Sequence, residues 1–450
     1  MGNDCHFMVM TGRKTSSIGR AAQVTAVCML MLAGCADDSE QRLPGERISI
    51  MLSQSELQEE FQQEAPPIAL PEPSINTSYN QAGGAKTHAL GHPKFNVQFE
   101  EIWSANIGGN SDSPLPAQPI VVGSQVFTLN SDYELRGFDL ENGAQIWSLD
   151  LPVPDSDEDE AFSGGLAYLD GRIFVSTGYA RLHAIDLDQN QIAWTQPLAG
   201  PARTAPTVAE GLVLVITIDN RAIAFNSQTG EKLWVHSGST EITGLLGRAS
   251  PAIDDQLVVL AYSTGELFGL RKNDGRVLWS DRLTAARRLE GLSSLADIRA
   301  MPVINDKLVL AVSFGGRMVA IDGQSGVRIW SKRIGGTQMP WAIGDYVFMV
   351  TNTNQLVCLS RETGAVLWSK ALRSWVDEDE RDEPIQWIGP ILASEHLILA
   401  NQLGELLLIS PFDGAVLKTI DLGNAIRTAP VIAMETMLLL DNRGSLRAFR

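Results

Sequence analysis

One phrase recurs along the chain and limits the folds open to it more than any other feature. Its clearest copy is Phe225-Asn226-Ser227-Gln228-Thr229-Gly230-Glu231-Lys232-Leu233-Trp234: an apolar strand, a polar residue, a turn with glycine, and a second strand with tryptophan four places on. The phrase returns at Asp139, Gly143 and Trp147, at Arg271, Gly275 and Trp279, at Asp322, Gly326 and Trp330, and at Ser360, Gly364 and Trp368. Two copies are degenerate: Asn190 stands for the glycine before Trp194, and Lys418 stands for the tryptophan after Gly414. A repeat of this period specifies a stacked or closed array of small units.

Each unit follows one grammar. A Pro-containing start such as Ala205-Pro206-Thr207-Val208 leads through Glu210-Gly211 to the strand Leu212–Ile216, then through Asp219-Asn220 to Ala222–Phe225, and finally through the Gly230 turn to the Trp234 strand. The strands are short, rich in Val, Ile and Leu, and bounded by turn residues. The glycine fits a hairpin position at positive φ, where asparagine is the next best tolerated residue. A short stretch at 283–292 reads as a helix; all else is β.

Counting the strands at Trp103, Trp147, Trp194, Trp234, Trp279, Trp330, Trp368 and Lys418 gives eight units spaced 38 to 51 residues apart. The ends set the topology. After Lys418 the chain supplies three more strands, ending at Leu446-Arg447-Ala448-Phe449, whereas residues 95–107 supply a Trp103 strand with no partners before it. The first strand therefore completes the last unit, and the expected fold is an all-β, eight-bladed propeller of four-stranded antiparallel blades over residues 95–450. The seven tryptophans recur once per blade, as packing residues must and binding residues need not. They read as structural rivets that pin blade to blade.

The N-terminus carries a different signal. Arg13, Lys14 and Arg20 precede an apolar run from Ala21 to Leu32, which is too short to cross a bilayer and suits a secretory signal. It ends in Leu32-Ala33-Gly34-Cys35, which resembles the bacterial lipobox, and the resemblance implies that residues 1–34 are a signal peptide and Cys35 a lipidated N-terminus. Residues 35–94 are polar and Pro-rich and read as a largely disordered tether, with one apolar stretch, Ile48–Leu52, that suits equally a docking strand or partner contact and a merely apolar spot in a linker. Removing the signal leaves Cys358 as the one cysteine of the folded part, in an apolar strand that favours burial.

Charge and motif spacing remove several function classes. The net charge of −18 repels nucleic acid, and no basic stripe offsets it. The acidic runs at Asp155 to Glu160 and at Asp377 to Glu380 with Asp382 and Glu383 lack calcium-loop spacing and read as solvated loops. His183, His236 and His396 are dispersed without metal-ligand spacing. No nucleophile triad or phosphate-cradling loop is present, so no catalytic, cofactor or metal residue is assigned.

The repeated phrase resembles the quinoprotein-type propeller repeat, and the resemblance covers residues 95–450. Two families share it. One is the quinone dehydrogenases, which hold pyrroloquinoline quinone and Ca2+ in the central funnel; the large insertions and vicinal cysteines common among them have no counterpart here. The other is the BamB family of outer-membrane assembly lipoproteins, to which the lipobox, length and acidic linker are similar.

Membership of the second implies a non-catalytic scaffold on the periplasmic face of the outer membrane, anchored there by lipid. The partner implied is the POTRA region of the barrel assembly subunit, and outer-membrane protein clients could add strands at blade edges. The family contact uses two neighbouring loops, which match Leu245, Leu246 and Arg248 in one and Asp297 and Arg299 in the other. Leu246 stands where the family has arginine, with Arg248 two places later, and Arg299 replaces a second aspartate. The alternative implied by the first family is a periplasmic quinone- and Ca2+-dependent dehydrogenase.

Overall fold

The computed structural model describes residues 67–109, 117–153, 164–202, 204–240, 249–283 and 297–450, which all belong to one compact unit. Cys35 and the Ile48–Leu52 stretch lie outside the described residues, as does nearly all of the expected helix at 283–292.

Eight sheets of four blade strands are arranged as the repeat count requires. Blade 1 comprises Ile120–Val122, Gln125–Leu129, Glu134–Asp139 and Gln145–Asp150, and blade 2 comprises Gly164–Leu169, Arg172–Thr177, Arg181–Asp186 and Gln191–Pro197. Blades 3 to 7 run in order from Thr207–Ala209 to Lys232–Ser237, from Ala252–Ile253 to Val277–Arg282, from Val303–Asn305 to Arg328–Lys332, from Trp341–Ile343 to Val366–Ala371, and from Trp387–Ala393 to Val416–Asp421. Blade 8 takes Val431–Ala433, Thr436–Leu440 and Ser445–Phe449 from the C-terminus and Glu101–Asn106 from the N-terminal side. The closing pair is antiparallel, with Trp103 opposite Ala448 and Asn106 opposite Ser445. This leaves no blade open at the ends of the ring.

The core lies mainly between blades. One cluster joins Leu212, Leu214 and Trp234 of blade 3 to Ile253, Val258 and Tyr262 of blade 4. Each fully buried aliphatic side chain in such a cluster contributes roughly 1.5–3 kcal/mol, so the blades depend on their neighbours for stability.

The tryptophan works by a device that the sequence does not display. Just before it, the outer strand carries a one-residue bulge: Trp234 pairs with Ala224 and Lys232 with Phe225, leaving Leu233 extra. The shift recurs in every blade, including those of Trp147, Trp194 and Lys418. A bulge re-aims the strand. It turns the tryptophan toward the next blade and leaves Leu233, Leu278 and Ile329 in solvent.

There the indole meets the next copy of the phrase. Trp234 Nε1 donates to Lys272 O at 2.9 Å, Trp279 to Gly323 O at 2.7 Å, Trp330 to Arg361 O at 2.8 Å, Trp368 to Pro411 O at 3.0 Å and Trp103 to Leu140 O at 2.9 Å. Glycine is needed in the receiving turn twice over. Gly275 has φ +68°, and a Cβ on it would fall 2.7 Å from the Trp234 ring.

Both degenerate copies follow from this pairing. Trp147 would dock on the turn of blade 2, where Asn190 supplies a side chain at φ 51°. Trp147 is half-buried, with its ring 5.8 Å from that of Phe127 in its own sheet. Lys418 faces blade 8, whose third and fourth strands are joined by no hairpin, since one ends the chain and the other begins the propeller. A tryptophan at Lys418 would have no turn to receive it.

The expected tether needs correction over its described part. Residues 67–94 are packed on the propeller, and Ser78–Tyr79 adds a fifth strand to blade 1 opposite Val121 and Val122. The segment builds no core of its own, which is why its composition reads as disorder, but its backbone groups are met by the blades.

Candidate functional site

The inner strands of all eight blades surround a central cavity of about 220 Å³. Gln118, Gly164, Ala205 and Ser250 come from blades 1 to 4, Arg299 and Met301 precede the inner strand of blade 5, and Met339, Trp341, Ile388, Pro390, Arg427 and Ala429 complete the wall. Tyr79, Ala82 and Gly83 of the N-terminal segment also line it. Gln118 joins wall to segment: its Nε2 donates to Ala429 O at 3.0 Å, and its Oε1 accepts from Gly83 N at 3.4 Å.

The lining is apolar with a few polar groups, and its charged residues are Arg299 and Arg427. No carboxylate is among the described lining residues. Calcium needs six to eight oxygens, normally including carboxylates, and a quinone dehydrogenase needs a carboxylate base. The residues around this funnel therefore do not fit a quinone and Ca2+ pair, and no step is derived through one.

Of the candidate partner-binding residues, Leu245, Leu246 and Arg248 lie outside the described residues. The flanks place their connection between the outer strand of blade 3, ending at Ser237, and the inner strand of blade 4, beginning at Ala252. Asp297 and Arg299 lie in the corresponding connection from blade 4 to blade 5. The strand ends that flank the two connections, Ser237 and Ala252 for one and Arg282 and Val303 for the other, are adjacent in the ring and on the same face. Asp297 is 2% exposed, and its carbonyl accepts from Phe314 N at 2.8 Å. Arg299 is half-buried and reaches the funnel wall.

The remaining candidates are structural where described. Asp377 and Asp382 pair across a small exposed hairpin, in which Asp377 Oδ1 accepts from Asp379 N and Glu380 N; Asp155 to Glu160 lie outside the described residues. His183 Nδ1 bonds Thr195 Oγ1 at 2.9 Å, His236 stacks on Tyr262, and His396 Nδ1 donates to Ser394 O. Burial lowers the His183 pKa to about 4, helped by Arg181, and burial also lowers that of His236. Cys358 is fully buried, and desolvation pushes its thiol well above the usual range.

Sequence reasoning missed the contribution of Tyr79 and Gly83 to the funnel and the place of Arg427 in its wall. A signal for the first was present: Gly83-Gly84 and two histidines, 88 and 92, sit in an apparent linker.

The family described as Outer membrane protein assembly factor BamB matches residues 131–370, more than half of the chain. A Yersinia pestis relative with that description is 25% identical over 366 residues, covering 79% of this chain and 91% of its own length. Among solved structures, BamB from Moraxella catarrhalis superposes with a TM-score of 0.65 at 16% identity, covering 78% of this chain and 99% of that one. A europium-containing methanol dehydrogenase superposes with a TM-score of 0.63 at 14% identity, covering 81% of this chain and 89% of its own, which is a likeness of fold alone. The blade count, the ring closure and the match across the middle blades agree: this chain belongs to the BamB family of outer membrane protein assembly factors.

Proposed function

We propose that the protein is a non-catalytic scaffold of the outer-membrane β-barrel assembly machinery. In this reading it is lipidated at Cys35 after removal of residues 1–34 and held on the periplasmic face of the outer membrane. There it binds the POTRA region of the barrel assembly subunit through the Leu245 to Arg248 and Asp297 to Arg299 connections and assists insertion of outer-membrane proteins.

The observation that supports the reading is the adjacency of the strand ends flanking those two connections in a propeller whose relatives are named as assembly factors. Arginine suits such a contact because its planar donors tolerate partial burial. The funnel lining argues against the dehydrogenase alternative, since it offers no described carboxylate as base or metal ligand.

The test is a membrane pull-down of the full-length lipoprotein, comparing wild type with Leu245→Glu plus Arg248→Glu and with Arg299→Glu. The barrel assembly subunit is expected to co-purify with wild type and to drop at least ten-fold with either variant. Undiminished recovery with both would overturn the assignment of this face. Cys35→Ser is expected to release the protein from the membrane fraction.

A further inference from the structure

Residues 67–95 make a complete circuit of one end of the propeller, at the hairpins that join first and second strands. The path begins at blade 6, where Ala69 N donates to the Tyr346 hydroxyl. It passes to blade 8, where Met434 N donates to Asn76 O at 2.7 Å, and to blade 1, where Ser78 and Tyr79 pair with Val122 and Val121. Tyr168 N of blade 2 donates to Asn80 O, and Val208 N of blade 3 donates to Gln81 Oε1 at 2.8 Å. Ile253 N of blade 4 donates to Lys86 O at 2.7 Å and Ile304 N of blade 5 to Thr87 O at 2.9 Å. The path returns to blade 6, where Trp341 Nε1 donates to Gly91 O, and ends at blade 7, where Ser394 N donates to Pro93 O.

The two ends of the circuit are bonded to each other. Ser74 N donates to His92 O at 2.8 Å, and Lys94 N donates to Ser74 O at 2.7 Å. His92 adds a third link: its Nδ1 lies 2.6 Å from Pro71 O, while its Nε2 accepts from Glu395 N of blade 7 at 2.8 Å. The imidazole thus ties the first part of the segment to blade 7.

Other side chains fix the path between these points. His88 is 2% exposed and its Nδ1 donates to Pro302 O at 2.7 Å. Lys86 pairs with Glu210 and Asp255 from the first hairpins of blades 3 and 4, and Lys94 pairs with Glu435 of blade 8. Gly83 turns at φ +74° where a Cβ would strike the His88 ring at 2.7 Å.

We propose that residues 67–95 are a clasp: a peptide ligand carried in the same chain that occupies a circular acceptor surface made by all eight blades. It closes the ring a second time, independently of the Glu101–Asn106 strand, and it seals the funnel at this end. A loop bonded to itself and, from inside the ring, to every blade holds the ring against opening at blade 8. At this end the funnel is floored by Tyr79, Ala82 and Gly83.

Hydrogen exchange on the full-length protein tests the proposal. In wild type the amides of Tyr168, Ile253, Ile304, Ser394 and Met434 are expected to be protected, and trypsin is expected to spare Lys86 and Lys94. In His92→Ala, and more strongly in Gly83→Val, those five amides are expected to exchange at least ten-fold faster as a group. Amides of the middle strands keep their rates, and cleavage after Lys86 and Lys94 appears. The clasp role further requires that Trp103→Ala, which weakens the closing blade, lowers the melting temperature more in the His92→Ala background than in wild type. Five amides exchanging at unfolded rates in wild type, or unresponsive to both substitutions, would overturn the proposal, as would strictly additive melting shifts.

Discussion

The regular junctions between blades and the two irregular ones use the same bulge but reach different ends. At the junction of blades 4 and 5, Trp279 is buried, donates to Gly323 O and lies against Gly326. At the junction of blades 1 and 2 the bulge is present, but Trp147 lies over Gly137 and Phe127 of its own sheet, and Asn190 supplies a side chain where the other turns supply glycine. The indole stays half-exposed. A rivet is therefore a property of two consecutive repeats, and either can disable it. Lys418 shows the limiting case, in which the receiving hairpin is replaced by the ends of the propeller chain.

Three measurements separate the junction types. The largest effect is expected from Trp279→Ala, which removes a buried indole and leaves the Gly323 carbonyl without its donor; a loss of about 3–5 kcal/mol by denaturant unfolding is expected. Trp147→Ala should cost about 1–2 kcal/mol, in line with partial burial. Equal losses would break the distinction between the junctions.

The second measurement concerns acid. His183, in the same blade as Asn190, is 1% exposed, and burial lowers its pKa from 6.5 to about 4. The unfolded chain therefore binds a proton that the folded blade refuses between these values, so stability falls as pH drops from 6.5 towards 4. The expected loss is about 2–3 kcal/mol at pH 4 relative to pH 7. His183→Gln should flatten that part of the pH dependence; a slope unchanged by the substitution would remove His183 as its cause. Burial also lowers the pKa of His88 in the clasp to about 4, so a second decline in the same window is expected to survive His183→Gln.

The smallest effect is expected from Lys418→Trp. Restoring the repeat there should change stability by less than about 0.5 kcal/mol, because the residue is exposed and blade 8 has no hairpin to receive an indole. A gain of several kcal/mol would show that the missing tryptophan was a vacancy awaiting its residue.

Much of the architecture was legible because it repeats. Blade number, strand order, the glycine at positive φ and closure by the Trp103 strand all follow from counting one phrase, since a residue needed once per blade must reappear once per blade. The candidate partner surface was legible in part. Asp297 and Arg299 were found through a family pattern, and the structure sets Asp297 in the interior and Arg299 at the funnel wall, which no local pattern encodes. The clasp was illegible for a different reason. Residues 67–94 bury little apolar surface against themselves, and hydropathy judges a segment by what it can do alone.

The sequence by itself determined an all-β ring of eight units closed by its own first strand, because strand periodicity and turn chemistry are local and were repeated. Tertiary structure alone decided that six of the seven blade tryptophans answer to the next blade's glycine, that an apparent linker runs around the inside of the ring at its base, and that the funnel carries arginines without described carboxylates. These features depend on groups far apart in the chain, whose pairing becomes defined once the ring has closed.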